Sequence, residues 1–198
     1  MTEQPADEVL MLRYKEGDIG AIETLVERHQ QHLFAFIYRF CNDQQQAQDL
    51  SQEVFLRLIR TARNYEPRAK FTTYLFTLAH NLCIDHARRQ KKRKNVSLSD
   101  PINDEDGLKL EDAVKDHRPN PEKEYRQKSF QLALQNALAQ LPEEQREVFL
   151  LREEKNLPFE EISKIVGCLP STAKSRMRYA LQSIREKLEK KFSLADIA

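Results

Sequence analysis

The chain has 198 residues, 40% of them hydrophobic and 32% charged, and a formal net charge of only +1. That length suits one mid-sized domain or two small ones. Four glycines and no tryptophan argue against an all-β sandwich built on tight turns.

The near-neutral total hides an asymmetry. Residues 1–95 carry 15 basic and 12 acidic side chains, residues 96–122 carry 3 and 8, and residues 123–198 carry 14 and 11. Two basic ends flank an acidic middle, and such a distribution points to nucleic acid where the mean does not. Cys41, Cys83 and Cys168 are odd in number and far apart in apolar periodic segments, which predicts free thiols in a reducing cytoplasm. The first six residues lack the basic and apolar regions of a signal peptide. No apolar run approaches the roughly 20 residues of a membrane span. The expectation is a cytoplasmic protein with no direct membrane insertion.

Helical periodicity dominates the rest, so the expected fold class is all-α. Asp7 is placed to cap a first helix ending near Gly17, and Asp18 to cap a second with Ile22, Leu25 and Val26 inward. A third helix carries Leu33, Phe34, Ile37 and Phe40. A fourth covers about Gln45 to Asn64, with Leu50, Val54, Phe55 and Leu58 on its core side. Asp49, Gln52, Glu53, Arg57 and Arg60 lie opposite, and Leu56 sits among them. An apolar side chain ringed by charge suggests a protein interface, although single exposed leucines are common. Pro67 breaks the pattern, and a fifth helix starts near Phe71.

Phe71, Tyr74, Leu75, Leu78 and Leu82 form one face of that fifth helix. Asn81, Asp85, Arg88, Arg89 and Lys92 form another. Six of the seven residues from Arg88 to Lys94 are basic. The loop before it, Arg63 to Lys70, mixes basic and aromatic side chains. Positive charge with aromatic platforms suits single-stranded nucleic acid. A solvated helix end favoured by the dipole, with Phe71 and Tyr74 at least partly in the core, is the plainer reading. Residues 96–121 hold three prolines, Gly107 and many acids without a period, and read as an acidic flexible linker, with one helical turn around Leu108 to Val114. The chain thus divides into domains at 1–95 and 122–198.

Helical pattern resumes near Glu122. Pro142 opens a helix that fades near Asn156, and Pro158 opens a short one, Phe159 to Val166. Gly167 supplies a turn, and a long helix follows from Pro170 with Ala173, Met177, Ala180, Leu181, Ile184 and Leu188 as its apolar stripe. A small residue at the crossing, a turn glycine and a docking apolar residue are what a tight helix-turn-helix needs. Ser163, Gly167 and Ala173 fit these roles across 159–178. Ser171, Thr172, Lys174, Ser175, Arg176 and Arg178 then face outward, the side-chain types that reach phosphates and base edges. An ordinary helical hairpin with a solvated basic face fits the same pattern.

His80, Cys83 and His86 recur every three residues and drift around a helix, so no metal site is expected. No catalytic nucleophile with a base and no phosphate-binding glycine loop is present, so neither an enzyme nor a cofactor is expected.

Three stretches carry a specific resemblance: DLSQEVF at 49–55, FTTYLFTLAHNLCIDHARR at 71–89, and LPEEQREVFLL at 141–151 continuing through Lys174 to Arg176. In order and spacing the chain resembles the extracytoplasmic-function group of bacterial sigma factors over almost its whole length apart from the linker. The resemblance implies a transcription initiation factor that binds core RNA polymerase, through its β′ clamp helices and its β subunit, and promoter DNA. Asp49, Gln52, Glu53 and Leu56 would dock on the clamp helices. The fifth helix would open and read the minus-ten element. Tyr65, Arg68 and Lys70 of the preceding loop would hold a flipped base, with Asn81, Arg88, Arg89 and Lys92 along the helix. The helix-turn-helix would read the minus-thirty-five element as duplex, and the acidic linker would thread a basic channel of polymerase. An anti-sigma factor is the regulatory partner such proteins usually have.

The chain departs from the usual pattern at Tyr74, where tryptophan is typical, and at His80, where arginine is common. Ser171 replaces a frequent glycine, with Leu169 and Pro170 before it, Ser163 an alanine, and Pro158 a capping serine. The alternative function is a stand-alone helix-turn-helix regulator that binds duplex operator DNA without polymerase.

Overall fold

The computed structural model describes residues 4–96 and 121–192, and among these every regular element is helical. The N-terminal half comprises α1 (Asp7–Lys15), α2 (Ile19–Cys41), α3 (Gln44–Thr61), a 3-10 turn (Ala62–Asn64) and α4 (Phe71–Val96). The C-terminal half comprises α5 (Pro121–Ala139), α6 (Glu143–Lys155), α7 (Phe159–Val166) and α8 (Pro170–Glu189). Apart from its two end residues, the acidic linker expected at 96–121, with its turn around 108–114, lies outside the described residues.

The two helices expected between Asp18 and Phe40 are one continuous helix of 23 residues. No glycine or proline interrupts residues 21–41, so the apolar period simply carries on. His29 falls on its buried face, 7% exposed, with Nε2 at 2.7 Å from an Asp7 oxygen. This contact explains why Asp7 does not cap α1 as expected. Ala6 holds the cap position instead, and the Asp7 carboxylate is taken by His29 and by Arg28 Nη1 at 2.9 Å. Asp18 does stand at the α2 cap, without a side-chain cap bond. The working cap is Asp43, which accepts from the Gln46 backbone N–H at 2.9 Å, a bond worth about 1 kcal/mol at a helix start. Asn42 takes the left-handed conformation, φ 57°, and lets α3 fold back on α2 within two residues.

The N-terminal core gathers Leu25, Leu33, Phe36 and Ile37 from α2, Val54 and Leu58 from α3, and Phe71, Leu75 and Phe76 from α4, all fully buried. Phe36 meets Phe76 edge to face at 5.3 Å between centroids. The C-terminal core gathers Leu150 and Leu151 from α6, Ile162 from α7, and Ala173, Met177, Ala180, Ile184 and Leu188 from α8. Leu181, expected in the α8 stripe, is 48% exposed. At 100° per residue it falls about 20° beyond the edge of the arc those five residues span, where no neighbour covers it. The two halves are not held apart. Their buried side chains form one continuous cluster, with α6 lying on α2 and α7 on α4.

Gly167 ends α7 in the left-handed region at φ 66°, and a Cβ built there meets nothing within 4 Å. The cost of a side chain is therefore purely conformational. Gly167→Ala should lower stability by about 1–2 kcal/mol in denaturant titration, with Gly167→Asn close to neutral. The three cysteines are unbridged. Burial pushes the Cys83 thiol far above its usual range, and burial raises Cys41 as well. Fewer thiolates mean slower alkylation. In the native chain iodoacetamide should label Cys168 first, Cys41 slowly, and Cys83 only on unfolding, as mass spectrometry of timed digests would read.

Candidate nucleic-acid interface

Three surfaces carry the residues singled out from sequence. The first is the outer face of α3. Asp49 and Gln52 are exposed, Glu53 is half-buried, and Leu56 is 45% exposed. Glu53 accepts from Arg57 Nε at 3.1 Å and lies 3.9 Å from Arg60. These pairs run along one exposed helix face and add little stability, so they hold charge in place rather than hold the fold. Ile59, unremarked in the sequence, is 40% exposed one turn from Leu56 and extends the apolar spot. Beside it a cleft of about 560 Å³ opens between α2 and α3, lined by Val26, Phe34, Ser51 and Phe55 and rimmed by Gln30, Gln31, Gln48 and Gln52. An apolar floor with an amide rim is the kind of groove that amphipathic helices pack into.

The second surface is α4 with the loop before it. Asn81, Arg88, Arg89 and Lys92 are exposed. Asn81, Arg88 and Lys92 fall within about 20° of one line along the helix, so they form a single stripe. Arg68 is exposed and paired with Glu66 at 2.6 Å. Lys70 is exposed and lies 3.0 Å from Glu161 of α7. Tyr65 is different. It is 4% exposed, its ring packs against Phe71 and Tyr74, and burial pushes its phenol up to about 12. Its expected role as a side chain presented to a flipped base is corrected by that burial: in this arrangement it is a core residue that anchors the loop. Tyr74 is half-buried, and its hydroxyl is 2.7 Å from the Thr61 hydroxyl, tying the end of α3 to α4.

The third surface is the helix-turn-helix, α7 and α8. Ser163 is buried at the crossing, with its hydroxyl donating to the Glu160 carbonyl at 2.9 Å. The Cys168 N–H reaches back to the Ser163 carbonyl at 3.0 Å and closes the turn that Gly167 permits. Ala173 is fully buried and seats α8. Pro170 begins α8 without sacrificing a helical hydrogen bond. Ser171, Lys174, Ser175 and Arg178 are exposed, as a reading face requires. Thr172 and Arg176 are half-buried, and Arg176 donates to Glu144 at 3.0 Å. Arg152, absent from the sequence-based set, donates to the Leu157 carbonyl at 2.7 Å and lies over the Phe159 ring at 5.3 Å. It braces the entrance of α7.

His80 does not join a metal cluster. It pairs with Glu147 of α6, which is 3% exposed. Burial raises the Glu147 carboxyl above its usual range, and the His80 hydrogen bond opposes that rise. Among the described residues no group of three or more His, Cys, Asp or Glu is arranged to hold a metal ion. Among them, too, no helix is long and apolar enough to cross a membrane.

Comparison with known proteins matches two stretches of the chain to family models. Residues 25–93 match Sigma-70 region 2, and residues 131–184 match Sigma-70 region 4. The chain is 30% identical over 189 residues to the RNA polymerase sigma-H factor of Pseudomonas aeruginosa, covering 96% of this chain and 97% of that one. It is 29% identical over 192 residues to the ECF RNA polymerase sigma-E factor of Escherichia coli K12, covering 96% and 97%. Among solved structures, the sigma factor RpoE of Bartonella quintana, crystallised with the anti-sigma factor NepR, aligns with a TM-score of 0.68 at 20% identity over 84% of this chain and 96% of that one. CnrH, solved with the cytosolic domain of CnrY, aligns with a TM-score of 0.66 at 18% identity over 95% and 100%. These two show the fold.

Proposed function

The chain belongs to the extracytoplasmic-function group of bacterial RNA polymerase sigma factors, which direct transcription initiation, and on that premise we propose how its three surfaces divide the work. The face of α3 docks on the clamp helices of the β′ subunit. Leu56 is the central apolar contact, supported by Asp49, Gln52 and Glu53, and the neighbouring cleft between α2 and α3 takes up part of the same partner. A few central side chains carry most of the energy of such an interface.

The stripe of Asn81, Arg88 and Lys92, with Arg89, Arg68 and Lys70, holds the minus-ten element as it opens. Arginine and lysine neutralise phosphates, and extracting a base from a duplex costs a few kcal/mol, so a positioned surface is needed. Tyr65 contributes by fixing the loop that presents Arg68 and Lys70. Ser171, Thr172, Lys174, Ser175, Arg176 and Arg178 read the minus-thirty-five element, with the first turn of α8 in the major groove. The observation that carries this reading is the exposure of Ser171, Lys174, Ser175 and Arg178 on a helix whose opposite face is fully seated. The remaining partner is an anti-sigma factor, supported by the NepR-bound relative of the same fold. The domains divide at the linker, 1–95 and 122–198, and the protein acts in the cytoplasm without enzymatic activity of its own.

Run-off transcription with purified core polymerase tests the whole reading: initiation should depend on this chain, and the chain alone should bind promoter duplex poorly. Strong polymerase-independent binding to a duplex operator would favour a stand-alone regulator instead. Glu53→Lys combined with Leu56→Lys should abolish binding to core polymerase while shifting the circular dichroism melt little, because Leu56 is exposed and the half-buried Glu53 makes only surface ion pairs. Lys174→Ala should weaken promoter binding by the holoenzyme across sequences and reduce the salt dependence of log K by about one unit of slope, the signature of a lost phosphate contact.

A further inference from the structure

One apolar side chain of the C-terminal half is left unexplained by packing. Leu169 is 69% exposed, and among the described residues no large apolar side chain is more so. It stands at the cap position of α8 and makes no side-chain cap bond. Serine, threonine, asparagine or aspartate at such a position would bond a free helical N–H. The leucine thus gains neither from burial nor from capping. Exposed apolar residues are common, and exposure alone assigns nothing. Ile19, 67% exposed at the start of α2 with Glu16, Asp18 and Glu23 near it in sequence, is such a case.

Leu169 differs in its surroundings and in its rigidity. Residues 162–185 hold Lys164, Lys174, Arg176, Arg178 and Arg185 and no acidic residue. Lys164 on α7 and Lys174 and Arg178 on α8 are exposed. The backbone is held on both sides. The Leu169 carbonyl accepts from the Ala173 N–H at 3.0 Å and from the Cys168 thiol at 3.4 Å. The Cys168 N–H bond to Ser163 ties the preceding residue to α7, and Pro170 fixes the next φ. Leucine also has less rotamer freedom to lose than a long polar side chain. The side chain is therefore held out to solvent at small entropic cost.

One chemistry matches an apolar side chain set among cations. Phosphates take the cations. The apolar group that a base pair offers in the major groove is the C5-methyl of thymine. A helix-turn-helix brings the N-terminal residues of its second helix to the base edges. At 1.5 Å per residue, Lys174 lies ~7.5 Å and Arg178 ~13.5 Å behind Leu169 along the axis. The groove is about 8.5 Å deep, so the apolar side chain falls toward its floor and the cations toward its phosphate rim. Ser171, exposed two residues on, carries a hydroxyl that bonds to any base and so does not choose between them. A protein partner would call for a wider apolar patch than this single side chain.

We infer, taking α8 as the reader of the minus-thirty-five element, that Leu169 is a specificity-determining residue. Its side chain packs on the C5-methyl of one thymine in that element and favours thymine over a pyrimidine that lacks the methyl. Lys174 and Arg178 hold the helix on the duplex, and Leu169 selects the base.

Promoter duplexes selected by the reconstituted holoenzyme from a pool randomised across the minus-thirty-five element test this. Each thymine of the selected element, on either strand, is replaced in turn by deoxyuridine, which pairs identically and lacks only the methyl. At one thymine the wild-type holoenzyme should bind the deoxyuridine duplex about fourfold more weakly, the factor equivalent to ~0.8 kcal/mol for one buried carbon at ~1.4 kcal/mol per tenfold. Leu169→Ala, which shortens an exposed side chain without a cap bond, should shift the melt little and bring that ratio to about one. Lys174→Ala should weaken binding to both duplexes and keep the ratio. An enriched element in which no thymine shows a methyl-dependent affinity, or a ratio in Leu169→Ala equal to that of the wild type, would overturn the role of Leu169 alone. A pool that shows no enrichment anywhere in the element would overturn the reading of α8, and the role of Leu169 with it.

Discussion

Helix α2 presents a wider apolar arc than the N-terminal helices cover. Leu25, Leu33, Phe36, Ile37 and Phe40 run along it over more than four turns, and each is buried. The middle of the arc is filled by Phe71, Phe76, Val54 and Leu58 from α3 and α4. The end at Phe40 is closed from elsewhere, by Arg146 of α6, whose guanidinium serves the Phe40 carbonyl and lies near its ring. Leaving that end in water would expose aromatic surface at roughly 25 cal/mol per Å². The need to finish covering α2 is thus the physical reason that the C-terminal half lies where it does.

The C-terminal half has its own constraint. An eight-residue helix such as α7 is too short to be stable alone. It persists because Ile162 and Ile165 are buried against its neighbours, Gly167 turns the chain sharply, and Arg152 braces Phe159 at its start. Its other side faces α4. The first helix of the helix-turn-helix is therefore fixed from two directions, and α8 inherits its orientation from both.

Much of this was legible in the residues. Boundaries from Pro142 to Val166 match closely because prolines, Asn156 and Gly167 mark them locally. The exposure of Leu56 followed from its angular position on α3, and the seating of Ala173 from the spacing of the turn. What escaped was governed by partners distant in sequence. Asp7 has every local mark of a cap, yet His29, 22 residues on, claims its carboxylate. Tyr65 looks like a loop aromatic beside basic residues, yet Phe71 and Tyr74 draw it inward. His80 reads as an unusual residue on a helix face, and only the fold brings Glu147, 67 residues later, against it. Helical periodicity tells which face is buried, not which helix buries it.

The double attachment of α7 has a consequence for chimeras. Exchanging the C-terminal helices between related sigma factors is a natural way to transplant promoter preference, since the side chains proposed to read it sit together on α8. In this chain Glu147 and Glu161 travel with that segment, while their partners His80, Thr73 and Lys70 stay behind. A hybrid would inherit a new reader and at the same time a mismatched seam. Its behaviour would then mix two causes, altered recognition and altered packing between the halves. The modular look of the sequence overstates the independence of its modules.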